Sequence, residues 1–159
     1  IITCYCQLLL KLIKKECERL QYAVQPTSNN QFLVDLVKAI NGEYNAIRFY
    51  EHLAQLAPNE DVKNRILEIR KDEMRHYQGF AYMYTALTGQ HPSPQITEPL
   101  PLNIKNGILT AFKDEQEAVE FYHRVARQYN IPYISNQFSS NASDEQNHAV
   151  WFLFFISQY

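Results

Sequence analysis

Two stretches of this chain carry the same pattern of residues at a constant offset of 72 positions. Glu43 begins the pattern Glu-x-x-Ala-x-x-Phe-Tyr-x-x-Leu-Ala, and Glu115 begins the same pattern with Val in place of Leu. The motif Asp-Glu-x-x-His at residues 72–76 recurs at residues 144–148 with the same offset. Because no insertion or deletion separates the two motifs within either half, both halves are predicted to fold as one repeated unit.

The first half is predicted to form two helices. Between residues 30 and 57 the apolar residues recur in steps of three and four, which is typical of an amphipathic helix, and Pro58 stops the pattern. Asn59 is suited to cap a second helix, which is expected to end near Gly89. Pro58 and Asn59 thus leave only a short loop between the two helices, which predicts that the helices run antiparallel.

The second half repeats this arrangement after a proline-rich link. Residues 89–102 contain four prolines, which exclude a regular helix and predict an extended crossover. Two further helices are predicted, one at about residues 103–129 and one from Pro132 into the aromatic run at residues 151–155. No segment alternates with a period of two residues, so the expected fold class is an all-α four-helix bundle.

Six side chains of types that bind metals fall on the apolar faces of these helices. They are Glu43, Glu73, His76, Glu115, Glu145 and His148. Glutamate is almost never fully buried without a partner, and an isolated ionised carboxylate in a protein core costs many kcal/mol. No Lys or Arg lies on these faces to neutralise the carboxylates. Two divalent cations would cancel four carboxylate charges, whereas the alternative is a buried polar cluster without metal.

The spacing within Glu-x-x-His also suits a pair of metal ions. Side chains three residues apart share one helix face, so Glu73 or Glu145 can bridge two ions while the adjacent histidine binds one of them. Glu43 and Glu115 would then bind at the two ends. One Glu from each of two helices and a Glu-x-x-His from each of the other two is the ligand set of di-iron and di-manganese carboxylate bundles. Such ligands favour iron or manganese and do not separate the two metals.

This order of motifs, with Phe-Tyr after the first and third Glu, resembles the ferritin-like superfamily and especially rubrerythrin-like domains. The resemblance covers residues 30–159 and implies a ferritin-like bundle, with a long crossover between helices two and three, around two iron ions. It also implies that Asp72 and Asp144 each hold a ligand histidine across the pseudo-twofold axis, with exposed helix acids as the alternative. The chain has Ala118 where rubrerythrins have an extra glutamate, and no rubredoxin-like Cys4 motif occurs in the 159 residues, so an external electron donor is expected.

Two tyrosines and three histidines are not among the six predicted ligands. Tyr50 and Tyr122 each lie seven residues after a terminal glutamate, on the same helix face. A buried phenol requires a hydrogen-bond partner, so each tyrosine is predicted either to donate to a ligand carboxylate or to pack in the core. Three histidines have no repeat-related histidine and are expected not to bind metal. They are His52, His91 and His123.

Composition limits the expected partners and compartment. The net charge of −2, from 15 basic and 17 acidic residues, gives no basic surface for nucleic acid or an anionic membrane. The apolar run at residues 1–10 is about half the roughly 20 residues that span a bilayer, and its lysines follow it, unlike those of a secretory signal. Cys4, Cys6 and Cys17 fit neither a disulfide framework nor a zinc site. A cytoplasmic protein is therefore expected.

The chain is predicted to have two parts. Residues 1–28 are predicted to be an N-terminal amphipathic helical extension, and residues 29–159 the di-metal four-helix bundle. The extension would pack on the bundle or on a partner subunit. The aromatic run at residues 151–155 covers more than one helix face, so part of it would lie under the extension or in a subunit interface. A homodimer or larger homo-oligomer is expected.

An oxidoreductase of ferroxidase or peroxidase type is the leading functional hypothesis. The two iron ions would react with oxygen or hydrogen peroxide, and Glu73 and Glu145 would be the catalytic bridging residues. A non-catalytic iron-handling or structural assembly protein is the alternative. A metal-free interaction module is a third possibility, and it predicts no stoichiometric metal in the purified protein.

Overall fold

A computed structural model describes residues 26–129 and 131–158. The described residues form four helices and no strand. The helices are α1 (Pro26–Gln55), α2 (Glu60–Thr88), α3 (Ile104–Gln128) and α4 (Pro132–Ile156). The predicted all-α fold with four helices is therefore confirmed. Nearly all of the predicted N-terminal extension, with its three cysteines, lies outside the described residues. None of the four helices combines the length and apolarity needed to cross a membrane.

α2 and α3 begin at the residues that the local sequence indicates, whereas α1 begins at Pro26, before the predicted residue 30. The Asn59 side chain accepts a hydrogen bond of 2.9 Å from the Val62 N–H and caps α2. Asn103 caps α3 in the same way, through the Asn106 N–H at 2.9 Å. These contacts satisfy amide groups that have no partner within the first turn. α2 is followed by Gly89, whose φ of 71° lies in the left-handed region that glycine adopts without a steric penalty.

The helices pack as two antiparallel pairs with a polar layer between two apolar clusters. α1 packs along α2 and α3 along α4, and the pairs meet where α2 contacts α4 and α1 contacts α3. One apolar cluster includes Phe80 and Phe138, and the other includes Ile66 and Phe152. On every helix, the predicted ligands lie between residues of the first cluster and residues of the second. The ligands therefore meet at one level, near the middle of the bundle.

The crossover at residues 89–103 contains no helix and is held against α1 by Asn45. This side chain is 2% exposed. Its amide N–H₂ donates to the Gln95 carbonyl at 2.9 Å, and its oxygen accepts from the Thr97 N–H at 3.0 Å. Buried backbone groups need such partners wherever no helix or sheet supplies them. The Asn45 side chain thus replaces backbone pairing and sets the position of the crossover along the bundle.

We expect Asn45→Ala to lower the free energy of unfolding by about 2 kcal/mol, because two part-buried hydrogen bonds to the crossover backbone, each contributing about 1 kcal/mol, are lost. Urea denaturation followed by circular dichroism measures the change. Asn64→Ala is a suitable control, since Asn64 is exposed on α2 and a surface change of this kind stays within about 0.5 kcal/mol. Equal stabilities for the two variants would show that Asn45 does not hold the crossover.

The aromatic run near the end of α4 divides between core and surface. Phe152 and Phe155 are buried, whereas Leu153 and Phe154 are each 51% exposed. The Trp151 ring lies under the Arg65 guanidinium, whose carbon is 4.0 Å from the ring centroid. The run therefore covers more than one face of α4, as expected. Its location under the N-terminal extension or in a subunit interface stays a prediction.

Candidate metal centre

The structure brings all six predicted ligands together in the polar layer of the bundle. Each of these residues is buried, with at most 4% of its surface exposed. Their side-chain atoms form two groups in which the atoms lie within 4.8 Å of one another. The first group is Glu43, Glu73, His76 and Glu145, and the second is Glu73, Glu115, Glu145 and His148. Glu73 and Glu145 belong to both groups, as a carboxylate would have to in order to bridge two metal ions.

Each imidazole faces both shared glutamates through its Nδ1 atom. His76 Nδ1 lies 3.3 Å from Glu73 Oε2 on its own helix and 3.0 Å from Glu145 Oε1. His148 Nδ1 lies 2.9 Å from Glu145 Oε2 on its own helix and 3.0 Å from Glu73 Oε1. The contact within each helix follows from the three-residue spacing. The contact between helices requires α2 and α4 to be side by side at this level.

The Nε2 atom of each imidazole faces an aspartate of the other Asp-Glu-x-x-His motif. His76 Nε2 lies 3.1 Å from Asp144 Oδ2, and His148 Nε2 lies 3.4 Å from Asp72 Oδ2. The predicted pairing of these aspartates with the histidines across the pseudo-twofold axis is confirmed. An Nε2–H that donates to aspartate leaves the Nδ1 lone pair directed at the shared glutamates, as a metal ligand requires.

Arg75 is a residue of this site that sequence reasoning did not single out. Its guanidinium donates to Asp72 at 2.7 Å and to Asp144 at 2.8 Å, and so joins the two motifs. The repeat-related residue is Asn147, so this contact breaks the symmetry of the two halves. Arg75 lies three residues after Asp72 on one helix, so its contact with Asp72 could have been predicted from the sequence. Its contact with Asp144 joins two helices, and no spacing along the sequence indicates it.

The donor atoms fit a cation better than they fit one another. Glu73 Oε1 and Glu145 Oε1 are buried, and although each lies 3.0 Å from an imidazole Nδ1 atom, neither accepts a hydrogen bond of normal geometry. His76 Nδ1 has carboxylate oxygens at 3.0, 3.3 and 3.8 Å, from Glu145, Glu73 and Glu43. A single N–H cannot serve three acceptors, and a buried carboxylate oxygen without a partner is costly. A divalent cation among these atoms would satisfy all of them at once.

Without a metal ion, protons must balance part of the buried charge. Burial, followed by the charges of Glu73 and Glu145, raises the pKa values of Glu43 and Glu115 well above their usual range. Burial favours a low pKa for His76, but the close contacts of its ring with the Glu145 and Glu73 carboxylates outweigh it and raise that pKa to about 12. Burial favours a high pKa for Glu73, but its close contacts with both imidazoles lower it to about 2. Removal of metal would therefore favour proton uptake by the two histidines and by the two terminal glutamates.

Both terminal glutamates accept a hydrogen bond from a buried tyrosine of the other half. Tyr50 Oη donates to Glu115 Oε1 at 2.5 Å, and Tyr122 Oη donates to Glu43 Oε1. The prediction of a bond to a ligand carboxylate is thus confirmed, although the spacing did not indicate which glutamate is the partner. Burial, and then the charge of the bonded glutamate, raises the pKa of each tyrosine. Both phenols therefore remain protonated donors.

The three histidines expected not to bind metal lie outside both groups of atoms. They are His52, His91 and His123. The ring of His52 contacts the crossover, with Nε2 3.0 Å from the Pro101 carbonyl oxygen. This contact gives His52 a role in holding the crossover, away from the buried cluster.

Known proteins resemble this chain in both sequence and fold. Residues 35–101 match the family Rubrerythrin. The uncharacterized protein YhjR of Bacillus subtilis (strain 168) is 44% identical over 137 residues, which are 86% of this chain and 94% of that protein. Among solved structures, a hypothetical protein from Pyrococcus furiosus aligns with a TM-score of 0.66 over 77% of this chain and 86% of that chain. Its 22% identity supports a common fold and no more.

Proposed function

The chain belongs to the rubrerythrin family, and from this premise we propose that it binds two iron ions in the buried cluster and oxidises them with hydrogen peroxide or oxygen. The observation that carries the proposal is the pair of four-residue groups that share Glu73 and Glu145. Each shared glutamate has one oxygen without a hydrogen-bond partner. Two cations, one in each group, would use those oxygens and share both carboxylates.

The charges and the ligand types support a pair of divalent cations. Four carboxylates at −1 are neutralised by two ions at +2, which removes the cost of burying them. The cluster offers carboxylate oxygens and imidazole nitrogens and no thiolate, a set that suits iron or manganese better than zinc or copper(I). Iron is proposed because a two-electron reaction with peroxide requires a metal that readily loses one electron per ion, and manganese is tested beside it.

A pair of ferrous ions held by the four glutamates and two histidines would supply two electrons, and with two protons these would reduce one hydrogen peroxide to two waters, with cleavage of its O–O bond. With oxygen as oxidant, the same two electrons and two protons would give hydrogen peroxide. Two electrons from an external donor, either a small reductant or a reductase, would restore the ferrous state. The protein positions the ions and excludes bulk water.

The surrounding residues hold the ligands in place. Asp144 and Asp72 orient the two imidazoles through Nε2, so that Nδ1 faces the metal positions. Tyr50 and Tyr122 donate to the terminal glutamates and leave the second oxygen of each carboxylate for a metal ion. These contacts restrict the ligand side chains before any ion arrives, which limits the reorganisation that accompanies binding.

Metal stoichiometry provides the first test. Apo-protein titrated anaerobically with ferrous iron, then separated from free metal, should contain two ions per chain by elemental analysis. The same titration with manganese shows whether the cluster discriminates between the two metals. A saturated content below one ion per chain would contradict a two-metal site.

Stopped-flow absorbance of the diferrous protein provides the second test. Mixed with hydrogen peroxide or with oxygenated buffer, the bound iron should oxidise faster than the same concentration of free ferrous iron. Steady turnover should require an added reductant. If neither oxidant acts faster on bound than on free iron, the proposed oxidoreductase activity is wrong and the iron-handling alternative is favoured.

A further inference from the structure

A cavity of about 180 Å³ lies between α1 and α3 and extends from the surface to the buried cluster. It meets the cluster on the carboxylate side, since all four glutamates of the cluster line it, whereas neither His76 nor His148 does. A cavity needs only about 15 Å³ to hold one water molecule. The space beside the cluster is therefore several times larger than hydrogen peroxide or oxygen requires.

Beyond the glutamates, two repeat-related pairs of apolar side chains line the cavity. Ala46 and Phe49 contribute from α1, and Ala118 and Phe121 contribute from α3. These side chains offer no hydrogen-bonding group to a small polar oxidant. Binding sites for organic molecules combine such apolar walls with a few polar groups that fix the orientation of the molecule. The cavity therefore suits a molecule with an apolar part and an oxygen group that faces the cluster.

Gly42 lies at the exposed mouth of the cavity, and the local backbone does not require a glycine there. The residue is in the interior of α1, where glycine destabilises a helix relative to alanine. Among the described residues, the glycine with a positive φ is Gly89, so Gly42 gains nothing from its conformational freedom. A Cβ atom placed on Gly42 would meet no other part of the described chain within 4 Å, so close packing does not require glycine either. The missing side chain does leave the mouth of the cavity open.

The charges around the cavity favour an uncharged molecule. Three exposed carboxylates line the rim, from Glu98, Asp114 and Glu117, and Lys38 carries the positive charge among the lining residues. Together with the glutamates of the cluster, negative groups outnumber positive ones. An anion, such as an ionised fatty-acid hydroperoxide, would be repelled, whereas a neutral alkyl hydroperoxide would not.

We propose that this cavity binds the alkyl group of a small, uncharged organic hydroperoxide, whose O–O bond is reduced at the cluster. The inference rests on the proposed function, which supplies two electrons from a ferrous pair. With these electrons and two protons, a hydroperoxide ROOH gives one alcohol, ROH, and one water, and the O–O bond is the bond that breaks. The reaction needs no reactant beyond those that reduction of hydrogen peroxide already requires. Gly42, Ala46 and Ala118 set the size of the alkyl group.

The first measurement detects binding in the cavity without turnover. The probe is tert-butanol, the alcohol that tert-butyl hydroperoxide would yield, added to protein loaded with Mn²⁺. Because Mn²⁺ is paramagnetic, it should accelerate the NMR relaxation of tert-butyl protons that lie beside the cluster. Ala118→Leu, which fills the cavity, and Gly42→Leu, which fills its mouth, should each weaken this effect about tenfold. The control Ala81→Leu adds the same side chain on α2, outside the cavity lining, and should keep the wild-type effect.

The second measurement is stopped-flow oxidation of the diferrous protein by tert-butyl hydroperoxide and by hydrogen peroxide. Both should oxidise bound iron in the wild type faster than free ferrous iron. Ala118→Leu and Gly42→Leu should slow the organic oxidant about tenfold relative to hydrogen peroxide, since a misfit of a methylene group in an apolar pocket changes rates by at least this factor. Ala81→Leu should leave the ratio unchanged. The ratio within one variant does not depend on its metal content or stability.

The outcomes separate this inference from the proposed function. An unchanged rate ratio and unchanged tert-butanol relaxation in Gly42→Leu, which has free space for its side chain and should fold, would show that the cavity does not bind the alkyl group. Fast oxidation of bound iron by hydrogen peroxide, but not by tert-butyl hydroperoxide, would overturn the inference and leave the proposed function intact. A wild-type protein whose bound iron reacts no faster than free iron with hydrogen peroxide or oxygen would overturn the proposed function itself.

Discussion

Glu73→Ala and Glu145→Ala should each abolish fast oxidation of bound iron, whereas Asp72→Asn should only slow it. Both glutamates belong to both groups of metal-competent atoms, so either substitution removes a ligand from two ions at once. Asp72 contacts only the Nε2 atom of His148 within the cluster, and asparagine keeps an oxygen that can accept that hydrogen bond. Loss of such a supporting contact typically costs about 10- to 100-fold in metal affinity or activity.

Glu43→Ala tests whether Glu43 binds one metal ion, in contrast to Glu73, which is proposed to bridge two. Glu43 belongs to one group only, so this variant should weaken one metal position and keep the other. We expect about one tightly bound ion per chain for Glu43→Ala, and one or fewer, with much weaker binding, for Glu73→Ala. Elemental analysis gives the stoichiometry, and stopped-flow oxidation gives the rate.

The controls for these variants address folding. Glu51→Ala removes an exposed carboxylate from α1 and should leave both metal content and oxidation unchanged. Far-UV circular dichroism should show the same helix content for every variant. Wild-type oxidation rates in Glu73→Ala or Glu145→Ala would mean that the shared carboxylates do not bridge two ions.

Bound metal should raise the melting temperature strongly at neutral and mildly alkaline pH. A ligand that binds only the folded chain adds about 4 kcal/mol per site when its free concentration is a thousandfold above Kd. Removing the metal also leaves four carboxylates close together in the core, and this burial and crowding raise the pKa values of Glu43 and Glu115. Calorimetry with and without saturating Mn²⁺, which resists air oxidation, measures the difference.

The pH dependence of this difference follows from the direction of each pKa shift. Raised pKa values of Glu43 and Glu115 stabilise the metal-free chain below their unfolded pKa of about 4.3, and this stabilisation is lost as pH rises through the folded values. The raised pKa values of His76 and His148 stabilise the metal-free chain below about pH 6.5, the unfolded pKa of histidine, and this stabilisation is likewise lost as pH rises. The lowered pKa of Glu73 acts oppositely, but only below about pH 4. The metal-free chain should therefore lose stability between about pH 5 and pH 8.

Metal binding has the opposite pH dependence, because each ligand must lose its proton to bind. The gap between the melting temperatures of metal-bound and metal-free protein should therefore widen from pH 5 to pH 8. Melting at both pH values, with matched ionic strength, is the required measurement. Curves that coincide with and without metal at pH 8 would argue against a metal site in the cluster.

The sequence by itself determined the helices and the six residues of the cluster. Helix spacing is local, so the steps of three and four residues placed Glu73 beside His76, and Glu145 beside His148, without tertiary information. The constant repeat offset then indicated that the two motifs would meet at one level. Capping at Asn59 and termination at Gly89 were also predicted, because they depend on neighbouring residues alone.

Only the tertiary structure decided which residues meet across the helices. The partners Tyr50 and Glu115 are 65 residues apart, and Tyr122 and Glu43 are 79 apart. The link from Arg75 to Asp144 likewise depends on how the two helix pairs are rotated against each other. Spacing along one helix defines which face of that helix a side chain occupies. The rotation of the two helix pairs against each other is set by the packing of apolar side chains between helices, and the contacts between the two halves depend on that rotation.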